Sequence, residues 1–415
     1  MVIRVFGSSY MTAFNSPRSI FTRDMLEPSC ILHMEPVTHL MTGACLARAG
    51  FNRKAAYATL AMTLAAEVPD LDAVWSFDGP VAALQHHRGI THTFLGLPFE
   101  ALAVVGGIWL VHRWRLRRAQ AEAIHAPAPS IPNDLSADQP IVRPLTAAPV
   151  RWGLLYCFVL IALASHILLD WTNNYGVRPF FPFNPRWYAG SFVFVFEPVL
   201  FAVLLLALIA PALFGLIGSE VGAHQPSFRG RGWAIFALVT MAALWEWRWI
   251  EHDDAIQLAS TAAYGPNSTV AEVLRVTASP YPGNPFRWHT VAETPGFYQI
   301  ATVDSLRSTV ATDPEKDIFY KPPTTLDTLV AKRTWLGDVY LDWSSWPLVT
   351  DVGLAVPVHA PAGAPEWNEV TFRDLRFMYN TTLMQGRSNP PLSGAVFINA
   401  DRRVERIELG GRAQR

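Results

Sequence analysis

Residues 152–170 read WGLLYCFVLIALASHILLD, an apolar run whose single histidine is His166 and whose first charged residue is Asp170. About 20 consecutive apolar residues suffice to cross a bilayer as a helix, so this stretch predicts a transmembrane helix. Histidine and aspartate four residues apart lie on one face of a helix. Because ionisable side chains near the end of a span are costly, this pair indicates a functional site.

Three more long apolar stretches, 94–111, 192–218 and 233–245, extend this interpretation. Hydrophobic residues make up 51% of the 415 residues and charged residues only 16%, which favours membrane segments over a large soluble core. Two Ala-rich arms, 37–49 and 55–68, are too short to span comfortably and predict a re-entrant or protein-buried hairpin. The predicted fold class is therefore mainly α, a polytopic transmembrane helical bundle.

The chain divides into three segments of different character. Residues 1–33 contain no continuous apolar run, which predicts a leader of doubtful structure. Met34 is a second candidate for the first residue of the protein, and the choice between Met1 and Met34 stays open. Residues 34–249 form the predicted membrane-embedded domain. Residues 250–415 alternate short β-type runs with Pro, Gly and Asn clusters, which predicts a C-terminal β-rich soluble domain.

Basic residues predict the orientation in the membrane. The connection after the first long apolar stretch begins HRWRLRR at 112–118 and continues into an Ala- and Pro-rich loop, about 119–150, that we expect to be disordered. A second connection carries Arg229 and Arg231. The positive-inside rule places both connections in the cytoplasm. We therefore predict a multi-pass protein of a bacterial-type inner (plasma) membrane, with the site and the C-terminal domain on the outer face.

Two further motifs supply donors of the kind that bind metals. Pro69 ends the preceding helix, and Asp70 and Asp72 in the following turn point the same way. Neighbouring carboxylates repel each other and attract a cation, although capping at the protein surface is the alternative. His87 and His92 are five residues apart and cannot share a helix face, but a glycine between them breaks the helix and allows them to converge.

These motifs together predict a metal site without cysteine, since the three cysteines show no paired spacing. Imidazole and carboxylate donors suit zinc, with manganese or iron as alternatives. Seven donors exceed the needs of one tetrahedral ion, so a centre with two ions is a further option. The predicted ligands are His39, Asp70, Asp72, His87, His92, His166 and Asp170.

Glu67 and Arg88 are the predicted catalytic residues. Glu67 is a candidate general base or ligand-orienting residue, with a solvated position at the helix end as the alternative. Arg88 either neutralises the charge of a phosphate or pairs with Asp72.

Residues 36–200 resemble the YdjM-like membrane-bound metal-dependent hydrolases, and distantly the zinc-dependent phospholipases C. Departures from the family pattern are Thr93 in place of Ser and the Glu67-Val68 pair before Pro69. The resemblance covers less than half of the chain and leaves out 250–415. The matching motifs are Thr38-His39, VPDLD at 68–72, HRGITHT at 87–93, SHILLD at 165–170, and YGVRPFFP at 175–182.

The donors and the resemblance together predict a membrane-bound hydrolase that cleaves a phosphoester, such as a phospholipid, by metal-activated water. The expected partners are the bilayer and a lipid or phosphoester substrate; a net charge of −1 does not indicate nucleic acid. The alternative is a non-catalytic metal-binding membrane protein, namely a transporter, a sensor or a structural protein. A transporter needs polar groups along its spans, and the apolar spans here favour an enzyme. The substrate, the oligomeric state and the role of 250–415 stay open.

Overall fold

The structure is a computed structural model that describes residues 35–125, 149–220, 230–266, 271–357, 363, 365–380 and 390–414. The predicted leader and most of the predicted loop at 119–150 lie outside the described residues. The described chain has a helical first part followed by two antiparallel β-sheets. This arrangement confirms the helical character of the first part and the β-rich character of the second.

Seven α-helices form the first part of the described chain. They are α1 (Glu35–Ala49), α2 (Ala58–Ala65), α3 (Pro80–His86), α4 (Leu97–His125), α5 (Trp152–Thr172), α6 (Pro198–Glu220) and α7 (Arg231–Thr261). Short 3-10 segments lie between them at Phe51–Arg53, Val68–Asp78 and Ile90–His92.

Helices α1, α2 and α5 share an apolar core. The first two form the expected hairpin, and α5 packs against it and against α4. Small side chains let the helices approach closely, because they place little volume between the backbones. The buried residues of this core include Ala47, Ala58, Ala61, Ala65, Leu155 and Ala162.

Among the described residues, α5 is the one helix that is by itself long and apolar enough to cross a membrane. Pro80–His92 and Leu97–Ala121 pass the same test only as a pair, bent by 83°. Within α6, the part Pro198–Phe214 is apolar but shorter than a full span. The predicted bundle with several spans therefore stays a prediction.

The apolar stretch 192–218 becomes helical only at Pro198. Its first residues instead bond to the end of α5, because the backbone N–H groups of Phe192 and Val193 both donate to the carbonyl of Thr172. Helix α7 runs for 31 residues, about 46 Å, and its last turns leave the helical part.

Besides the 3-10 segment Leu375–Phe377, the second part of the chain contains ten strands and two α-helices within the described residues. They are β1 (Arg275–Pro280), β2 (Arg287–Glu293), β3 (Phe297–Asp304), β4 (Thr309–Ala311), β5 (Ile318–Tyr320), α8 (Leu326–Lys332), α9 (Trp335–Trp343), β6 (Pro347–Ala355), β7 (Trp367–Asp374), β8 (Gly394–Ile398), β9 (Val404–Leu409) and β10 (Arg412–Ala413). One sheet has the order β1-β2-β3-β4 with β5 paired to β3, and the other has the order β10-β9-β8-β7-β6.

Both sheets pack against the helical part. The end of α7 buries Ala255 and Ala259 against the first sheet, beside Trp288. The second sheet and α9 share a core with α3 and with Tyr175, which follows α5. The end of α5 and the residues after it therefore lie against the C-terminal region.

We expect Gly337→Ala to destabilise the C-terminal region by about 1–3 kcal/mol, because it overpacks the α8–α9 junction. A Cβ at Gly337 would lie 2.5 Å from the carbonyl oxygen of Ala331 and 2.6 Å from that of Lys332, both backbone atoms. Thermal unfolding of the detergent-solubilised protein measures the change. Gly296→Ala is the matched control, since a Cβ there meets nothing within 4 Å; equal stability of the two variants would contradict the packing described.

Candidate metal centre

The segment after α2 brings two aspartates inward. Burial of Pro69 and Asp72 holds the 3-10 segment Val68–Asp78 against the helices, and Asp70 remains partly exposed. The Asp72 carboxylate accepts a hydrogen bond from the backbone N–H of Arg88, at 2.7 Å. Asp72 therefore ties this segment to the loop that carries His87 and His92.

That loop turns sharply after α3. Arg88 has a φ of 53°, in the left-handed region that non-glycine residues adopt at a cost. Gly89 follows, and a Cβ there would lie 2.7 Å from the carbonyl oxygen of His86. This tight turn ends α3 and places His92 inside the protein, fully buried.

Four side chains from three segments meet at the C-terminal end of α5. Among the described residues, Asp70, His92, His166 and Asp170 form the one group of three or more His, Cys, Asp or Glu side chains whose ligand atoms all lie within 4.8 Å of one another. The two histidines and Asp170 are buried, and Asp70 is 17% exposed. The group therefore reaches solvent on the side of Asp70.

The distances within this group fit a tetrahedral metal ion. His92 Nε2 lies 3.0 Å from His166 Nε2, 3.4 Å from Asp70 Oδ1 and 3.2 Å from Asp170 Oδ2. His166 Nε2 lies 3.5 Å from Asp70 Oδ1 and 3.4 Å from Asp170 Oδ2. An ion with bonds of about 2.05 Å places tetrahedral ligands about 3.3 Å apart. The donors present thus match the size of a zinc-like ion.

The histidine tautomers also suit a metal. His166 Nδ1 lies 2.7 Å from the carbonyl oxygen of Ala66, so this nitrogen carries the proton and Nε2 keeps its lone pair. On His92, Nδ1 faces the Thr91 hydroxyl at 3.0 Å and the Asp72 carboxylate at 3.5 Å. Two Nε2 lone pairs therefore face each other, which is unfavourable unless a proton or a cation lies between them.

Asp70 is ready to act as an anionic ligand. Burial raises the pKa of its carboxyl, but the protonated forms of His166 and His92, whose Nε2 atoms face this carboxylate, outweigh the effect and hold the pKa well below its usual range. An ionised carboxylate on the solvent side of the group favours cation entry from that side.

Arg88 holds Asp170 in place. Its side chain is 1% exposed, and Nη2 donates to Asp170 Oδ1 at 2.7 Å. Nη1 donates to Asn173 Oδ1 at 3.1 Å and to the carbonyl of Gly176 at 3.0 Å. The guanidinium thus pairs with Asp170, and the Arg88 backbone N–H donates to Asp72. Its predicted catalytic role toward phosphate stays a prediction.

The other three predicted ligands surround the group of four. His39 stacks on His166 with ring centroids 3.9 Å apart, and its Nε2 lies 3.3 Å from Asp170 Oδ1. His87 Nδ1 lies 3.3 Å from Asp72 Oδ1 and is thereby turned toward that carboxylate. His39 and Arg88 share Oδ1 of Asp170 and leave Oδ2 facing the two central histidines.

Glu67 lies beside the group at the end of α2. Its Oε2 is buried and has no hydrogen-bond partner among the described residues. Burial, together with repulsion from the Asp70 carboxylate, raises the pKa of Glu67 to about 7. These are properties of a general base, the role that the sequence predicts for it.

The importance of Asn173 and Tyr175 was not apparent from the sequence. Asn173 Oδ1 accepts from Arg88 and also from the backbone N–H groups of Tyr175 and Gly176, which fixes the turn after α5. The Arg88 guanidinium lies over the Tyr175 ring, 4.8 Å from its centroid. The local sequence NNYG is typical of a turn, but it does not reveal which side chain the turn supports.

We expect His166→Ala and Asp170→Ala to lose the bound metal, because each removes one donor of the group and leaves the others uncompensated. Metal content of the purified protein, measured by mass spectrometry, tests this expectation. The control is His86→Ala, since His86 stacks on Trp75 outside the group. Stoichiometric metal in both site variants would refute the assignment.

Comparison with known proteins agrees with the motifs. A family model described as YdjM inner membrane protein matches residues 34–255. The uncharacterized protein YfhP of Bacillus subtilis (strain 168) is 23% identical over 176 residues, 40% of this chain and 43% of that relative, so the chain spans less than half of its length. No solved structure matches the chain. Because the family model covers more than half of the chain, the protein belongs to the YdjM inner membrane protein family.

Proposed function

We propose that this protein is a membrane-bound metal-dependent hydrolase that cleaves a phosphoester, with a phospholipid as the substrate class. The observation that carries the proposal is the group Asp70, His92, His166 and Asp170, whose spacing suits one zinc-like ion and whose Asp70 side is open to solvent. Manganese and iron accept the same donors, so the choice of metal is a matter for measurement.

The surrounding residues support hydrolysis. A divalent cation held here would polarise a phosphoryl oxygen and lower the pKa of a bound water. Glu67 would act as the proton acceptor beside the group, a role supported by its buried Oε2, which has no hydrogen-bond partner among the described residues. Arg88 and His39 both contact Asp170 and would keep its carboxylate oriented during hydrolysis.

Exposed apolar side chains near the open side support a lipid substrate. On the 3-10 segment that carries Asp70, Leu71 is 66% and Phe77 is 80% exposed, and nearby in the chain Val74 and Trp75 are exposed as well. Apolar side chains presented outward on a segment whose Asp70 and Asp72 face inward are typical of a surface that contacts lipid. A phosphoester in a lipid headgroup would then meet the site at the membrane surface.

The distribution of basic residues supports a site on the outer face. Arg231, at the start of α7, donates to the carbonyl of Ala49 at the end of α1, so these two ends lie together. Arg151 precedes the start of α5, whose opposite end carries the metal group. By the positive-inside rule the basic end is cytoplasmic and the site end, with the C-terminal region, is outside.

One observation favours a second candidate function, non-catalytic metal binding. Four protein donors complete the tetrahedral coordination of an ion, as in structural zinc sites. Catalytic zinc usually has three protein ligands and one open coordination position. Hydrolysis therefore requires that the ion accept a fifth ligand or that the exposed Asp70 move aside. The partial exposure of Asp70 and the position of Glu67 make us prefer the enzyme.

We expect Glu67→Gln to retain bound metal and to lose about 100-fold or more in kcat, because the amide is a poor proton acceptor. The assay uses the purified full-length protein on phosphodiesters and on phospholipids in mixed micelles, with release of the headgroup as readout. Glu246→Gln is the matched control, since this glutamate lies on α7 outside the metal group. Bound metal without turnover on any substrate class would favour the non-catalytic function.

A further inference from the structure

A buried ion pair in the C-terminal region contacts the turn after α5. Asp374, the last residue of β7, and Arg376 are both buried and are joined by several hydrogen bonds, the shortest at 2.7 Å. The remaining Nη1 of Arg376 donates to the backbone carbonyl of Asn174 at 2.8 Å. The pair therefore fixes a backbone atom about 200 residues earlier in the chain.

The turn that Arg376 contacts supplies the acceptors of Arg88. Asn173 Oδ1 and the Gly176 carbonyl lie on either side of Asn174, and both accept from Nη1 of Arg88. Arg88 in turn donates to Asp170, one of the four metal donors. A continuous set of short polar contacts thus links Arg376 to the metal group.

An aromatic stack supports the same turn. Tyr175 lies beneath the Arg88 guanidinium and contacts Trp343 of α9, with ring centroids 4.9 Å apart. Trp343 Nε1 also donates to the carbonyl of Tyr175 at 3.3 Å. Two independent contacts from the C-terminal region, one polar and one aromatic, therefore hold the residues that orient Arg88.

The effect of these contacts on the metal group comes from the burial of the Arg88 guanidinium. Arg88 is almost fully buried, so losing its acceptors costs much more than losing a surface hydrogen bond. If the turn relaxed, Arg88 would follow its acceptors and Asp170 would lose the contact that orients its carboxylate. Partners of ligating residues affect metal affinity in this way in many metal sites, commonly by 10- to 100-fold.

We propose that Arg376 is a positioning residue of the metal centre and that the C-terminal region completes this centre. Arg376 lies beyond residues 34–255, so the family match does not include it. The proposal rests on the metal centre proposed above, but it concerns the role of a different part of the chain.

The test compares Zn²⁺ affinity of full-length variants by competition with a chelator. Arg376→Gln is combined with Asp374→Asn, so that no buried charge is left unpaired. We expect this double variant to bind Zn²⁺ about 10- to 100-fold more weakly. Arg376→Lys should be intermediate, because a lysine can donate to one acceptor but cannot replace the planar fork. The absorption spectrum of the Co²⁺-loaded protein should change in parallel, since it reports ligand geometry.

Two comparisons separate positioning from a loss of stability. Phe297→Leu destabilises the first sheet by removing buried volume from a core cluster that includes neither α9 nor the turn after α5, so its Zn²⁺ affinity and Co²⁺ spectrum should equal those of the unmodified protein. In combination with Arg88→Lys, the Asp374→Asn/Arg376→Gln change should have less than its full effect, because both act on Asp170 through the same contacts.

The outcomes are distinct. If the unmodified protein binds no metal, the metal centre itself is refuted and the role of Arg376 with it. If it binds Zn²⁺ and the Arg376 variants bind equally well, only the positioning role is refuted. An equal loss in Phe297→Leu, or additive effects with Arg88→Lys, would also overturn that role.

Discussion

The carboxylate of Asp170 sets the main constraint on this structure. It lies at the end of an apolar helix and is 1% exposed, where an ionised group is stable only with opposite charges and hydrogen-bond donors around it. Arg88 and His39 satisfy one oxygen, and the second oxygen faces His92 and His166. The segments that supply these partners must therefore converge on the end of α5.

Breaks in the helices make that convergence possible. The segment Val68–Asp78 follows the α1–α2 hairpin and stays close to the start of α3, while the turn at Arg88 and Gly89 sends His92 inward. A continuous helix through either region would spread its polar side chains around the axis, at about 100° per residue. The irregular backbone is tolerated because side chains satisfy its polar groups, as Asp72 does for the N–H of Arg88.

The C-terminal region packs directly against the helical part. Helix α7 continues from the helices into the first sheet, and α9 packs on Tyr175 and α3. Arg178 donates to Asp342 at 3.1 Å, and Gln414 accepts from the N–H of Val81 at 2.9 Å. Two other buried charges, Glu197 and Arg248, pair at 2.6 Å where α6 and α7 meet. The helices and the sheets therefore both contribute contacts that hold the residues around the site.

The local sequence was sufficient to predict most of the long helices and the candidate metal donors. Apolar runs placed the starts of most helices to within about six residues, but α4 and α7 continue to His125 and Thr261, well beyond the apolar stretches that end at 111 and 245. The His166/Asp170 spacing, Pro69 and Gly89 indicated where donors would leave a helix face. Short motifs carry this information because helix periodicity and backbone restriction act over one or two turns. The local sequence did not determine the number of membrane spans. Tertiary contacts bend one apolar stretch and keep the first residues of another out of its helix.

Only the tertiary structure decided which donors form one group and which residues support them. Seven candidate ligands are equivalent in the sequence, yet Asp70, His92, His166 and Asp170 meet. His39 and Asp72 contact this group from outside, and His87 contacts Asp72. Arg376 carries no local signal at all, because its role depends on a contact with Asn174 across about 200 residues. Distances between side chains are set by packing over the whole chain, and no short motif contains them.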